Sequence, residues 1–203
     1  MLGRVRALSA HLLSLSRIVF GVLVLRELVA MDRATGSWIV LPLVIAAAAA
    51  DFSDGRLARR LDVQSDAGRL LDNLCDATFL VLAFSGFAVT HTWSRPVLGS
   101  AIRYWEHANW LPVIALVVSF GSYMVRWGLS AWLGRHPRAS SRGHFAGVAN
   151  YVLAVIGGVA VLPWMNLSPW LLEPTFVTVA LLNLSGAGEN IGLTVEMLLA
   201  RRS

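Results

Sequence analysis

The chain has 203 residues, of which 56% are hydrophobic and only 14% are charged, whereas soluble domains average about 25% charged residues. Too little polar surface is present to cover a globule in water, so the composition excludes an ordinary soluble domain and predicts an integral membrane protein. The net charge of +5 does not indicate nucleic-acid binding, because the sequence lacks a solvated basic domain with interleaved aromatic residues.

Hydropathy along the chain predicts an all-α protein. A membrane-spanning helix needs about 20 mostly apolar residues, and six segments meet this requirement: 12–31, 37–58, 68–90, 109–133, 145–163 and 171–199. Residues 1–11 carry two arginines beside apolar positions, which indicates a short interfacial helix, with a disordered tail as the alternative. We therefore expect six transmembrane helices preceded by a short interfacial helix, and a single membrane domain over residues 1–203.

Arginine placement predicts the orientation, because cytoplasmic loops carry an excess of positive charge. Eleven arginines fall on one side of the predicted spans, among them those at both chain ends and in segment 51–76. Only Arg33, Arg95 and Arg103 fall on the other side. We expect an integral protein of a bacterial cytoplasmic membrane, with both termini and the 51–76 segment facing the cytoplasm.

Half of the acidic residues lie in one short segment: Asp51, Asp54, Asp62, Asp66, Asp72 and Asp76. Asp51 and Asp54 are three residues apart near the end of the second predicted span, and Asp72 and Asp76 are four apart near the start of the third, so each pair shares a helix face. Because these spans are predicted to be antiparallel neighbours, the four carboxylates should converge just inside the membrane. For Asp62 and Asp66, in the connecting loop, solvated ion pairs with nearby arginines are the favoured interpretation.

Four carboxylates at one point would repel one another and favour protonation. One divalent cation, or a pair, would remove this repulsion, and oxygen ligands suit Mg²⁺ or Mn²⁺. Two such ions can neutralise a diphosphate and polarise the bond to be broken. Gly55, Ala58 and Gly68 leave room for a ligand close to the backbone, and Arg59 offers a forked donor for phosphate. The competing interpretation is that the acids only form ion pairs with neighbouring arginines at the helix ends.

These residues form one spaced pattern: Asp51-x2-Asp54-Gly55-x2-Ala58-Arg59-x8-Gly68-x3-Asp72-x3-Asp76. The pattern resembles the signature of the CDP-alcohol phosphotransferase (CDP-alcohol phosphatidyltransferase) family at all eight fixed positions and at every spacing. The six predicted spans extend the resemblance over most of the chain. The segment that ends at Arg17 loosely resembles the family's N-terminal segment.

The resemblance implies an enzyme of phospholipid biosynthesis that transfers a phosphatidyl or related group from a CDP-linked lipid, with CDP-diacylglycerol as the expected donor, to a small acceptor alcohol and releases CMP. It implies that Asp51, Asp54 and Asp72 hold two Mg²⁺ or Mn²⁺ ions, and that Asp76 deprotonates the acceptor while lying near a metal. It also implies a homodimer. The CDP site would be lined by Asp51, Asp54, Gly55, Ala58, Arg59, Gly68 and Asp72.

A phosphorylated acceptor, such as glycerol 3-phosphate, would need a cationic group near the metals. Arg126 is the favoured candidate, because an arginine inside a membrane span is costly without a partner. Arg138 and Arg142, on the next loop, are further candidates, although the charge bias of cytoplasmic loops explains them equally well. Glu189, in the last predicted span, either lines the cavity, pairs with an arginine or forms a contact between helices.

Two other classes of protein use clustered aspartates in membranes. An intramembrane prenyltransferase ionises a diphosphate with Mg²⁺, but such an enzyme usually needs two separated Asp motifs, and this chain has one compact motif. A divalent-cation carrier would not need the Gly55, Ala58, Arg59 and Gly68 pattern, and its polar residues would continue across the membrane. Both remain alternatives that rank below the transferase.

Overall fold

The structure of the chain, a computed structural model, describes the backbone of residues 2–31, 35–61, 66–92, 107–134, 140–165, 167 and 169–200. Within these ranges it does not describe the side chains of residues 2–11, 54–61, 107, 169 and 170. The described residues form six long α-helices and contain no strand. The helices are α1 (Leu2–Ala30), α2 (Val40–Leu61), α3 (Asp66–Val89), α4 (Leu111–Trp132), α5 (Ser141–Ala160) and α6 (Pro169–Leu199), and a single 3-10 turn (His107–Trp110) precedes α4.

The predicted all-α fold is confirmed, and each predicted span corresponds to one observed helix. Four helical segments are long and apolar enough to cross a membrane: Asp66–Val89, Ala108–Trp132, Ser141–Ala160 and Leu171–Leu199. Within α2, the apolar segment found among the described side chains, Val40–Ser53, is shorter. Four apolar helices thus support an integral membrane protein, while six spans stay a prediction.

The N-terminal end differs from the prediction of a separate interfacial helix. The backbone is one continuous helix from Leu2 to Ala30. No glycine or proline separates residues 4–20 from one another, so nothing in this segment stops a helix from propagating. The first predicted span and the predicted interfacial helix are therefore parts of α1.

Packing of the first three helices also differs from the expected order. The acid-bearing helices α2 and α3 touch each other only slightly, and each packs extensively against α1. We expected α2 and α3 to pack directly against each other because their connection is short. In the structure they are held together mainly through α1. In the other half of the bundle, α6 packs against α4 and α5. Contacts of α2 with α5, and of α3 with α4 and α5, join the halves.

A continuous apolar core joins all six helices. Its largest fully buried side chains include Phe79, Phe84 and Phe87 on α3 and Phe176 on α6. Large apolar side chains also cover the outer faces, as Val19 on α1, Val125 on α4 and Leu181 on α6 illustrate, each more than half exposed. An outer surface of this kind is expected of helices that face lipid rather than water.

Candidate active site

The guanidinium of Arg17 lies at the centre of the acid cluster. Arg17, on α1, is 0% exposed, and its Nη1 lies 2.7 Å from Oδ1 of Asp51 on α2. The same nitrogen contacts Oδ1 of Asp76 on α3, and Nη2 lies 3.3 Å from Oδ1 of Asp72. Ser14, one turn earlier on α1, donates a hydrogen bond to Oδ1 of Asp72. The structure therefore brings three of the four predicted metal ligands together around one buried cation.

Asp76 receives a second hydrogen bond from the opposite side of the bundle. The hydroxyl of Tyr151, on α5, donates to Oδ1 of Asp76 at 2.6 Å. The Tyr151 ring is held in turn by Phe79, with 5.9 Å between ring centroids. The hydrogen bonds that the described side chains make to Asp76 all reach Oδ1, so its Oδ2 is the oxygen able to meet a ligand.

Four residues of the motif fall where only the backbone is described. Asp54, Gly55, Ala58 and Arg59 continue helix α2 beyond Asp51, and their side chains lie outside the described part of the chain. Gly68 lies in the first turn of α3, where it is partly buried. The predicted CDP-binding residues therefore lie at the C-terminal end of α2 and the N-terminal end of α3. Their roles stay predictions.

Asp66 forms the solvated ion pair that was predicted for it. Its Oδ1 accepts from Nη2 of Arg69 at 2.7 Å, and both side chains are well exposed. Such a pair contributes little to stability. Asp62 lies outside the described residues.

A cavity of about 450 Å³ begins at the acid cluster and extends between α3, α4, α5 and α6. Asp51, Asp76 and Tyr151 line one part of it, and Arg126 and Ser140 line another. Its volume lies within the range of small-molecule sites. The cavity therefore connects the candidate catalytic carboxylate with the candidate acceptor-binding arginine.

Arg126, on α4, is 2% exposed and lines this cavity. Its guanidinium lies over the ring of Tyr123, 5.8 Å from the centroid, a geometry suited to a cation–π contact. The Tyr123 hydroxyl accepts from Nδ2 of Asn73, on α3, at 2.8 Å. The predicted acceptor-binding arginine is thus held in a wall of the cavity.

Glu189 contacts the start of helix α5. Glu189, on α6, accepts from the Ser140 hydroxyl at 2.6 Å and from the backbone N–H of Arg142 at 3.0 Å. Ser140 caps α5 by accepting from the N–H of Gly143 at 2.9 Å. Of the three predicted roles, Glu189 therefore has the helix-contact role. The Arg142 side chain is exposed and does not line the cavity, and Arg138 lies outside the described residues.

Sequence reasoning missed three parts of this site. The sequence does contain a signal for Arg17 and Ser14: a charged residue and a hydroxyl lie three positions apart within an apolar run, and a charged residue inside a span usually has a partner or a function. Tyr151 had no comparable signal, because a tyrosine in an apolar helix is usually part of the core. Asn150 and Asn183 form a buried reciprocal amide pair across α5 and α6, at 3.1 and 2.7 Å, and both line the cavity.

The donor chemistry of the cluster fits a divalent cation. Its ligating atoms are carboxylate oxygens from two helices, the type that Mg²⁺ and Mn²⁺ take, and Asp51 and Asp76 already reach one positively charged nitrogen. Among the described side chains, no three acidic, histidine or cysteine residues are close enough to hold one ion as they stand. Asp54, the fourth acid, is not among those side chains.

A comparison with protein families identifies the chain. The family model described as CDP-alcohol phosphatidyltransferase matches residues 7–188, which include the acid cluster, all but one of the residues that line the cavity and most of the six helices. Neither the curated proteins nor the solved structures that were compared give a match. The match favours the transferase over the prenyltransferase and the cation carrier, and the chain belongs to the CDP-alcohol phosphatidyltransferase family.

Proposed function

We propose that this protein transfers a phosphatidyl or related substituted phosphoryl group from a CDP-linked lipid, CDP-diacylglycerol, to a polar acceptor alcohol and releases CMP, as a step of phospholipid biosynthesis. The observation that carries the proposal is that Asp51, Asp72 and Asp76 converge on Arg17. Two of these acids, Asp51 and Asp76, line a cavity that Arg126 also lines. Family membership supports a CDP-alcohol donor and an alcohol acceptor.

In this reaction the acceptor oxygen bonds to the phosphorus that carries the lipid, and the anhydride P–O bond to CMP breaks. Asp76 takes the proton of the acceptor hydroxyl through its Oδ2, because Oδ1 accepts from Arg17 and Tyr151. CMP leaves with the electron pair of the broken bond. Asp76 lines the cavity in which an acceptor would lie.

Asp51, Asp54, Asp72 and Asp76 would hold one or two Mg²⁺ or Mn²⁺ ions. When bound, these ions would neutralise the diphosphate and polarise the bond that breaks. Gly55, Ala58, Arg59 and Gly68 stay the proposed contacts of the CDP moiety, together with the same acids.

The acceptor that we propose is a phosphorylated polyol of the glycerol 3-phosphate type. Arg126 supports this choice, because a buried guanidinium in the cavity wall can form a forked contact with a phosphate group. Arg138 and Arg142 stay secondary candidates for the same anion, and Arg142 would have to turn toward the cavity to reach it. We also retain the predictions of a homodimer and of a cytoplasmic acid cluster.

The test is CMP release by the purified protein in detergent with CDP-diacylglycerol and Mn²⁺ or Mg²⁺. Glycerol 3-phosphate, inositol phosphate, serine and an unphosphorylated polyol are supplied one at a time, with an EDTA-treated sample and Asp76→Asn as controls. We expect release only with a phosphorylated acceptor and the metal, and a loss of at least about 100-fold in Asp76→Asn, as for removal of a general base.

Each other outcome has a defined meaning. Metal-dependent release with serine alone would refute the phosphorylated acceptor and retain the reaction. Metal-dependent CDP binding without release would point to a different CDP-linked donor. An absence of CDP binding would refute the proposed function.

A further inference from the structure

Arg17 is the most deeply buried cation that the structure describes, and it bonds to the acids of two different helices. Its side chain is 0% exposed, whereas those of Asp51, Asp72 and Asp76 are 40%, 36% and 23% exposed. Asp51 and Asp76 line the cavity and Arg17 does not, so these two carboxylates lie between the guanidinium and the cavity. A ligand entering from the cavity would meet the acids before Arg17.

Helix α1 is the element that joins the two acid-bearing helices. Because α2 and α3 have little direct contact and both pack mainly on α1, with smaller contacts to α5, the distance between their acids depends mainly on what α1 presents to them. Arg17 of α1 contacts Asp51, Asp72 and Asp76. Ser14 of α1 contacts Asp72. Ser14 and Arg17 are three residues apart and so share one face of the helix.

The charges of the cluster do not balance without a cation. Three described carboxylates contact Arg17, which supplies one positive charge among them. Repulsion between carboxylates at contact distance is strong where water is partly excluded. A buried guanidinium within hydrogen-bond distance of several carboxylates reduces that repulsion without needing a dissociable ion.

We propose that Arg17 is the resident counter-cation of the acid cluster: it holds the acids of α2 and α3 together while no divalent ion is bound. Arg17 is thus a positioning residue that acts through Asp51, Asp72 and Asp76. The inference rests on the proposed metal site, because a divalent ion bound to the same acids supplies the charge that Arg17 supplies in its absence.

The test measures thermal unfolding of the full chain in detergent, with EDTA and then with Mn²⁺, for Arg17→Met and Arg17→Lys. In EDTA we expect Arg17→Met to lower Tm by about 10 °C, since its removal leaves partly buried carboxylates without their counter-charge. Mn²⁺ should restore most of this loss, so that the Mn²⁺-induced rise in Tm is larger in Arg17→Met than in the wild type. Arg17→Lys, which keeps the charge, should lose less than half as much.

Arg126→Met is the matched control, because it removes the other buried arginine, which lies at a different part of the cavity. Its loss of stability should be equal with EDTA and with Mn²⁺. A merely structural role for Arg17 would produce the same equal loss. That result, a Lys variant as unstable as the Met variant, or a Met variant that does not fold even with Mn²⁺, would overturn the inference.

CMP release by the wild-type protein in the same preparation separates failure of the inference from failure of the proposed function. Mn²⁺-dependent release combined with no selective rescue of Arg17→Met would overturn the role of Arg17 alone. No release, and no effect of Mn²⁺ on the Tm of any variant, would overturn the metal site and this inference with it.

Discussion

At the scale of single residues, Asp76 is a carboxylate held by side chains from two different helices. Arg17 from α1 and Tyr151 from α5 both donate to its Oδ1, so the carboxylate is fixed from two sides. Fixing one oxygen also fixes the direction of the other. A base held in this way needs little reorganisation when the acceptor hydroxyl approaches it.

Removing the Tyr151 hydroxyl should therefore lower the rate of transfer. Tyr151→Phe keeps the ring that packs on Phe79 and removes one hydrogen bond to a charged group, a loss that corresponds to about 10-fold or more in kcat. KM for the donor and the acceptor should change little. Thr78→Val is the control, since the Thr78 hydroxyl bonds only to its own helix, at the carbonyl of Leu74; a kcat equal to wild type in Tyr151→Phe would contradict the prediction.

Arg126 should discriminate between acceptors. Arg126→Met is expected to raise KM for glycerol 3-phosphate by about 10-fold to 100-fold, because it removes a charge-assisted contact with phosphate. The effect should be on KM more than on kcat. Steady-state kinetics measure the change in KM. Arg26→Met is the control, because Arg26 is exposed near the C-terminal end of α1 and does not line the cavity. An unchanged KM would mean that Arg126 does not contact the phosphate.

At the scale of helices, α2 and α5 approach each other at Gly158. A Cβ at Gly158 would lie 3.1 Å from the Cα of Leu41, a backbone atom that cannot rotate away. Gly128, on α4, is also helical, and a Cβ there would meet nothing within 4 Å. The two glycines therefore form a matched pair, one required by packing and one not.

Gly158→Ala should destabilise the protein by about 1–3 kcal/mol through overpacking, whereas Gly128→Ala should be neutral or stabilise it by up to about 1 kcal/mol through helix propensity. Thermal unfolding in detergent measures both, at about 2–4 °C per kcal/mol for a chain of this length. Equal effects of the two substitutions would show that the close approach at Gly158 can relax freely.

At the scale of the whole molecule, the arginine distribution predicts that the acid-bearing end of the bundle faces the cytoplasm. The native Cys75 is 0% exposed, so a thiol reagent should react with introduced cysteines and little with Cys75. A membrane-impermeant maleimide added to intact cells should label Trp164→Cys, which replaces a side chain that is 58% exposed. It should not label Ser141→Cys, at the start of α5, until the cells are opened; the reverse pattern would invert the predicted orientation.

Local sequence rules sufficed to predict the helices and the shared face of Asp72 and Asp76, which both reach Arg17. Apolar runs of sufficient length specify helices through backbone hydrogen bonding in lipid, and spacings of three and four specify a common face. The same rules failed for the start of α1 and for the packing between α2 and α3. A short connection indicates that two helices are close in sequence, but it does not say which helix packs between them.

The sequence by itself determined the class of molecule, the six helices and the eight-residue motif, because composition and spacing along one helix are local properties. Only the tertiary structure decided that α1 lies between the acid-bearing helices, that Arg17 lies among the acids, and that Tyr151 donates to Asp76. These contacts join residues 34 to 75 positions apart. Such contacts depend on which of the six apolar helices pack against one another. That packing follows from the fit of side chains across the bundle, and a local sequence pattern does not contain this information.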